Sequence, residues 1–444
     1  MARLRSIVRI AVPVAVSALF ALALTLPNRG GASGAARPTY YQDVKPILDG
    51  RCAGCHYAGG SAPFSLTNYR NAHRYAKAIS PAVRNRAMPP WHADDRYRRY
   101  LYDPSLSAQQ IAAIVRWAAS GAPKGDPSHP GPQLPPVSPR LERVDAQLTM
   151  PRRYTPRRRA GDDDYRCFVL RWNADHTRYV TGFNVKPGQR REVHHMILFL
   201  ARPEDARTVD GWQAADAKAG YSCYGGPSLT GSGRQIAAQF LAGWVPGSFG
   251  TNFPAGTGIR ILPGSRLILQ VHYNLDAVAR PRPDRSTVEL KLDDQVARRA
   301  IYVPLVDFRW IASPRTFVIP AGRSRVVHSY SVDPRTVVPF FDRELDTSRG
   351  LIAYSALLHM HRLGRSGNIA VEGPARHSVL LRIGHWDFDW QREYYFADPE
   401  VIAPGERLSI RCVHHGRRGR TVTWGENSSD EMCIGFLYVS ERGP

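Results

Sequence analysis

Between Arg51 and Tyr57 the chain packs two thiols and an imidazole into one short run, Cys52-Ala53-Gly54-Cys55-His56. A C-x-x-C-H run is the signature of covalent haem c attachment: the two thiols add to the haem vinyl groups and the adjacent histidine is placed to ligate the iron. The rival is a redox dithiol. A thioredoxin-like dithiol wants a strand before it and a helix after it, and has no need of the histidine. Haem c is attached outside the cytoplasm, so the motif also demands export. The N-terminus agrees with this. Arg3, Arg5 and Arg9 flank and precede an apolar run from Ile10 to Leu26, and small residues follow from Gly30 to Ala36. Residues 1–37 read as a secretory signal or, if uncleaved, as an anchor holding the chain at the membrane, facing the periplasm. The other four cysteines, Cys167, Cys223, Cys412 and Cys433, can form two disulfides in such a compartment.

The 444 residues allow two to four domains, at roughly 100–200 residues each. Lys+Arg is 60 against Asp+Glu 38, a formal net charge of +22, and the basic residues are spread along the whole chain. Nucleic-acid binding would need a basic face and a reading element, so it is set aside. Acidic redox partners or an anionic membrane surface fit the charge better.

Residues 38–126 read as a small all-α domain. Helices are expected over residues 41–50 and 68–86, and a third follows Ser107, a good N-cap, with Gly121 past its end. The approach helix, the haem motif, Ala62-Pro63-Phe64 and Arg86-Ala87-Met88-Pro89-Pro90-Trp91 resemble the cytochrome c modules of bacterial multidomain oxidases. The resemblance implies that Met88 is the sixth iron ligand. Met88 is also the only methionine between the haem motif and residue 150. His92 and His73 are its rivals. Residues 127–150 hold Pro130, Pro132, Pro135, Pro136 and Pro139, and read as a stiff linker.

From residue 151 onward, short runs rich in Val, Ile, Leu, Phe and Tyr recur between Gly and Pro, the pattern of all-β sandwiches. Strands are expected over residues 178–185, 193–200, 266–275, 287–292, 351–361, 407–413 and 432–440. Four pieces carry metal-ligand chemistry: Val193-His194-His195-Met196, Leu269-Gln270-Val271-His272-Tyr273, Leu358-His359-Met360-His361 and Asp430-Glu431-Met432-Cys433. Imidazole suits Cu, Zn, Fe and Ni, and a thioether selects Cu(I). His359 and His361, two apart on a strand, project from one face. His194 and His195 are adjacent and normally diverge. They can share an ion at a bulge, at a strand end, or through different ring nitrogens. Each piece alone also fits ordinary packing.

Together, in this order and at these intervals, the four pieces resemble the type II copper, ascorbate-dependent monooxygenases. This is the family of peptidylglycine α-hydroxylating monooxygenase and dopamine β-monooxygenase. The resemblance covers roughly residues 160–440. It implies two jelly-roll-like sandwiches, residues 151–300 and 301–444, with one copper each. His194, His195 and His272 would hold an electron-transfer copper. His359, His361 and Met432 would hold the oxygen-activating copper, where an sp3 C–H of a small organic substrate is hydroxylated with O2. It further implies the pairs Cys167–Cys223 and Cys412–Cys433, and it sets Tyr165 and Gln270 near the copper sites, where simple packing also explains them. Electrons would come from an external redox protein or small reductant, passed through the fused haem. The alternative is a non-catalytic copper and haem electron-transfer protein. The peptide hydroxylase anchors a substrate carboxylate with a basic residue two positions before its His-x-His and with an Asn and a Tyr after its Met-Cys. Here those positions are Leu357, Ile434 and Phe436, so a more apolar substrate, or one anchored elsewhere, is expected. Asp162-Asp163-Asp164 reads as a solvated charge run and His414-His415 as surface histidines in a turn.

Overall fold

The apolar alternation of the second half folds as expected into strands. In Thr287–Asp293, Val288, Leu290 and Leu292 face a core, and the same logic builds Val193–Ala201 and Arg266–Asn274. The computed structural model describes residues 37–443 apart from residues 61, 136, 138, 139, 159, 160, 217, 218, 224, 225, 237, 246–249 and 277. All but the last residue of the segment read as a leader lies outside them. Among the described residues no helix is long and apolar enough to cross a membrane.

The molecule is β-rich, with two β-sandwiches and few helices. One nine-stranded sheet runs through both sandwiches. Its first half is Ala146–Thr149, Thr287–Asp293, Arg178–Lys186 and Thr257–Ile261, with the short Thr251–Asn252 also paired to Arg178–Lys186; its second is Arg298–Leu305, Ile434–Glu441, Leu351–His359 and Tyr394–Ile402. The halves join where Thr257–Ile261 pairs in parallel with Arg298–Leu305. A five-stranded sheet centred on Asp163–Leu170, Arg266–Asn274 and Val193–Ala201 shares one core with the first half, including Phe168, Leu198, Leu269 and Val288. A four-stranded sheet, Val326–Val332, Arg407–His414, Gly364–Glu372 and His377–Ile383, shares a second core with the other half, including Val303, Leu358, Ile410 and Leu437.

Both disulfides form. Cys167–Cys223 ties the strand Asp163–Leu170 to the loop after Tyr221–Ser222, and Cys412–Cys433 ties Arg407–His414 to the residue just before Ile434–Glu441.

The N-terminal segment is helical. A π-helical turn, Tyr40–Val44, leads into Lys45–Arg51; Tyr69–Arg84 and Ala108–Ala119 follow. Ser107 caps the last helix as the sequence predicts. Its Oγ accepts from Gln110 N and the Gln110 side chain accepts from Ser107 N, a capping box. These helices enclose their own core, with Tyr40, Leu48, Ile79, Ile114 and Trp117 at its centre.

Two features depart from the sequence reading. The stretch read as linker is not a bare spacer. Ala146–Thr149 pairs antiparallel with Thr287–Asp293, Gly131 N donates to Tyr41 O, and Arg51 donates to Pro135 O. Residues 93–102 also add themselves to the edge of the second sandwich. Asp94 N donates to Arg382 O, Leu101 N to Tyr395 O and Ala397 N to Arg99 O, while Tyr100 Oη reaches Leu380 O. Arg98 and Glu400 close the seam as a largely buried ion pair. Backbone pairing of this kind needs no distinctive side chains, so it left no trace in the sequence.

Candidate metal centre

His194 and His195 meet despite being adjacent, because His194 sits in a bulge. Along Val193–Ala201, Val193 pairs with Tyr273 and His195 with His272, which leaves His194 as an extra residue. A bulge re-aims one side chain, so both rings reach the same side. His194 Nδ1 lies 3.2 Å from His195 Nδ1, which lies 3.4 Å from His272 Nδ1. The three ring nitrogens cluster within 4.8 Å of one another. That spacing suits donors about 2 Å from one shared ion.

The remaining ring nitrogen of His272 is already committed. Its Nε2–H donates to Asp163 Oδ1 at 2.9 Å, leaving Nδ1 as the free lone pair. Asp163 also accepts from Asn274 at 2.9 Å and from Ser428 Oγ at 3.2 Å. Burial pushes the Asp163 carboxyl up, but the bonds from His272, Asn274 and Ser428 bring it down to about 2. Tyr165 stacks on His272 with ring centres 4.1 Å apart, and its hydroxyl donates to Glu426 O. Ser428 and Glu426 belong to a loop of the second sandwich, so both contacts tie the two sandwiches together beside the histidines. Gln270, two residues before His272 on the same strand face, holds the Cys223 and Gly226 carbonyls.

The strand Leu351–His359 ends on His359, two residues before His361, yet their rings still meet, with centres 5.0 Å apart. His359 Nδ1 donates to Gln391 Oε1 at 2.5 Å, and His361 Nδ1 donates to Asp430 O at 3.2 Å. Both rings therefore have Nε2 free. Met432 is buried just after Glu431. Glu431, fully buried, accepts from the backbone N–H groups of His361, Leu363 and Met432, fixing the chain around both sets of side chains. Burial raises Glu431 to about 7 against those bonds.

All six side chains line one cavity of about 1190 Å³. Phe388 stands between the two groups, its ring centre 5.8 Å from His194 and 6.0 Å from His361. Burial lowers His194 to about 3 and holds His195, His359 and His361 below the usual imidazole value. These rings are neutral, the form that binds a metal. The sets differ in softness. Three imidazoles suit several transition ions, whereas two imidazoles and a thioether favour copper, as Cu(I) above all.

The segment from Ala53 to Tyr57 opens on the same cavity through Ala53, Gly54, Cys55 and Tyr57. Arg190, four residues before His194, bonds the Tyr57 hydroxyl. His56 Nδ1 donates to Phe64 O at 3.1 Å, which leaves Nε2 free, and Cys52 and Cys55 are unpaired thiols. This donor set fits a covalently attached haem. Met88 is half-buried beyond the helix Tyr69–Arg84, its N–H on Ala82 O.

Two sequence expectations are corrected here. Asp163 and Asp164 are buried, not solvated, because they begin the strand Asp163–Leu170 and meet partners: His272 for Asp163, Tyr154 Oη and Arg157 N for Asp164. His414 is fully buried. It shares the inner face of Arg407–His414 with Cys412, and its Nε2 bonds the Met432 carbonyl at 3.2 Å, whereas His415 is exposed. The sequence reading also missed Asp163 as a partner of His272. The available signal was its position two before Tyr165, on the same strand face. Phe388 and Gln391 lie in an irregular loop: the aromatic run Trp386-Asp387-Phe388-Asp389-Trp390 is a sign of a cleft lining, and Phe388 and Trp390 do line the cavity, whereas Gln391 carried no such signal.

Fold and site thus define a two-sandwich protein with two groups of soft and imidazole donors on one cavity. Residues 327–442 match the C-terminal domain of copper type II ascorbate-dependent monooxygenase. DBH-like monooxygenase protein 1 of Homo sapiens is 22% identical over 276 residues, 58% of this chain and 41% of that protein. Peptidyl-glycine alpha-amidating monooxygenase A of Xenopus laevis is 27% identical over 287 residues, 62% of this chain and 26% of that protein. Tyramine beta-hydroxylase of Caenorhabditis briggsae is 22% identical over 264 residues, 57% of this chain and 40% of that protein. The chain spans less than half the length of each of these relatives. These similarities support the copper type II monooxygenase family and an enzyme of that kind.

Proposed function

We propose that this protein is an exported copper-dependent monooxygenase that hydroxylates an sp3 C–H with O2. The observation that carries the reading is the convergence of six donors on one cavity, three imidazoles on one side and His359, His361 and Met432 on the other. The overall reaction takes R–H, O2, two electrons and two protons to R–OH and H2O, the electrons coming from a one-electron donor. Copper, held by His194, His195 and His272 and by His359, His361 and Met432, would supply electron storage at each centre and O2 reduction at the thioether one.

The protein's own part is orientation. Asp163 keeps His272 with Nδ1 free. Gln391, itself held by the Phe388 carbonyl, and the Asp430 carbonyl present Nε2 of His359 and His361. Leu357, Ile434 and Phe436 give the substrate side an apolar wall. A haem, if bound, would be held by Cys52, Cys55, His56 and Met88 and would supply one-electron chemistry. The two disulfides fit the oxidising compartment this requires.

Metal analysis and copper EPR on the exported protein test the reading. Two type II coppers and one haem per chain are expected, with one copper lost in Met432→Ala. One copper or none, with haem intact, overturns it. His56→Ala should abolish turnover with a protein donor and spare turnover with a small reductant; equal loss with both removes the haem from the electron route.

A further inference from the structure

The cavity floor away from the imidazoles is not uniformly apolar. On Leu351–His359, residues Ser355, Leu357 and His359 alternate onto one face. Opposite them, Ile434 pairs with His359, Phe436 with Leu357 and Tyr438 with Ser355. The face therefore descends from a histidine, across an apolar step, to a hydroxyl. Glu393 sits at that lower level, in the cavity wall. Its Oε1 accepts from Ser355 Oγ and, at 2.9 Å, from Tyr302 Oη; its Oε2 accepts from Tyr395 Oη at 2.9 Å.

Among the described residues no basic side chain forms an ion pair with Glu393. Three neutral hydroxyls reduce the cost of holding a carboxylate there but supply no counter-charge. Burial, only partly offset by the hydroxyls, holds its pKa above the usual carboxylate value, and a neighbouring cation would favour the ionised form. Aromatic rings complete the surroundings. Phe240 stacks on Phe436 at 4.7 Å and meets Tyr302 edge-on at 4.9 Å. Carboxylates and aromatic ring faces share one preferred ligand, a cation.

We propose that Glu393 anchors an organic ammonium substrate whose oxidised carbon lies at the far end of the molecule from the nitrogen. The inference rests on the monooxygenase reading above. Ser355 and His359 are four residues apart, roughly 13 Å of strand at 3.3 Å per residue, so the substrate spans on the order of 10 Å. Leu357 and Phe436 receive its apolar middle. A molecule with its charged anchor only two bonds from the reacting carbon is too short to reach both ends.

Calorimetric titration of the copper-loaded protein with octylammonium, 1-octanol and octanoate tests the anchor, with oxygen uptake and product analysis in parallel. Octylammonium should bind at least tenfold more tightly than either analogue. Glu393→Gln keeps the shape and one accepting oxygen, while its NH2 can only donate to the tyrosine on the other side; it should lower octylammonium affinity at least tenfold and leave octanol unchanged. Tyr395→Phe, which keeps the charge, should retain the preference for the cation and serves if Glu393→Gln does not fold. No preference for the cation, or a preference that survives Glu393→Gln, overturns the anchor. So does hydroxylation next to the nitrogen. Glu393-dependent binding with no oxygen uptake upholds the anchor and sinks the monooxygenase reading. Hydroxylation of octanol with no preference for the cation sinks the anchor and leaves that reading standing.

Discussion

Replacing Asp163 isolates what lies behind the first group of histidines. Its carboxylate accepts the Nε2–H of His272 at 2.9 Å, and His272 is only 2% exposed, so no water stands ready to replace it. Asp163→Asn keeps the shape and an oxygen that can accept the same proton, but removes the charge. Loss of such a partner costs about 10–100-fold in metal affinity. At about 1.4 kcal/mol per tenfold, that is roughly 1.4–2.7 kcal/mol. Asp163→Ala removes the acceptor as well, so its loss should be larger still. Competition between the protein and a chromogenic Cu(I) chelator measures affinity, and EPR of the reoxidised protein reports which centre is affected. Copper at the thioether centre should hold, because His359 and His361 lean on Gln391 and Asp430 instead. Ser428→Ala, which loses only the 3.2 Å bond to Asp163, controls for the contact between sandwiches and should change affinity less than threefold. Unchanged affinity in both Asp163 variants, or equal losses at both centres, would refute the reasoning.

Three further outcomes are expected. Removing Cys412–Cys433, whose partners are 21 residues apart, should cost about 3 kcal/mol of stability in thermal or denaturant unfolding, and should weaken copper at Met432 beside it. The metal-free protein should lose stability on acidification. Burial lowers His414 to about 3 in the folded state, so the unfolded chain takes up the proton first as pH falls below about 6.5. Its contribution is complete above that value and shrinks toward pH 3, by roughly 2 kcal/mol at pH 5, measured as a falling unfolding midpoint. A glycine-extended peptide should be a poor substrate in an oxygen-uptake assay, because Leu357, Ile434 and Phe436 offer its carboxylate no partner in the cavity.

The sequence by itself determined the parts whose chemistry is local. C-x-x-C-H, the His-x-His pair and the Asp-Glu-Met-Cys run each hold their donors within a few residues, so spacing alone exposes them. Strands and helices were legible for the same reason, from Val288–Leu290–Leu292 alternation to the Ser107 cap. Only the tertiary structure decided how those donors meet. The bulge that turns His194 beside His195 is a register fact, set by Tyr273 and His272 on the neighbouring strand. Burial of Asp163 and His414 depends on which face of a strand is covered; spacing from Tyr165 was a sign of it for Asp163, and nothing local was for His414. The seam of residues 93–102 and the clustering of Glu393 with Tyr302 and Ser355 join positions tens to hundreds of residues apart. Such contacts exist only after the sandwiches have closed, because packing, not local propensity, sets the distances between them.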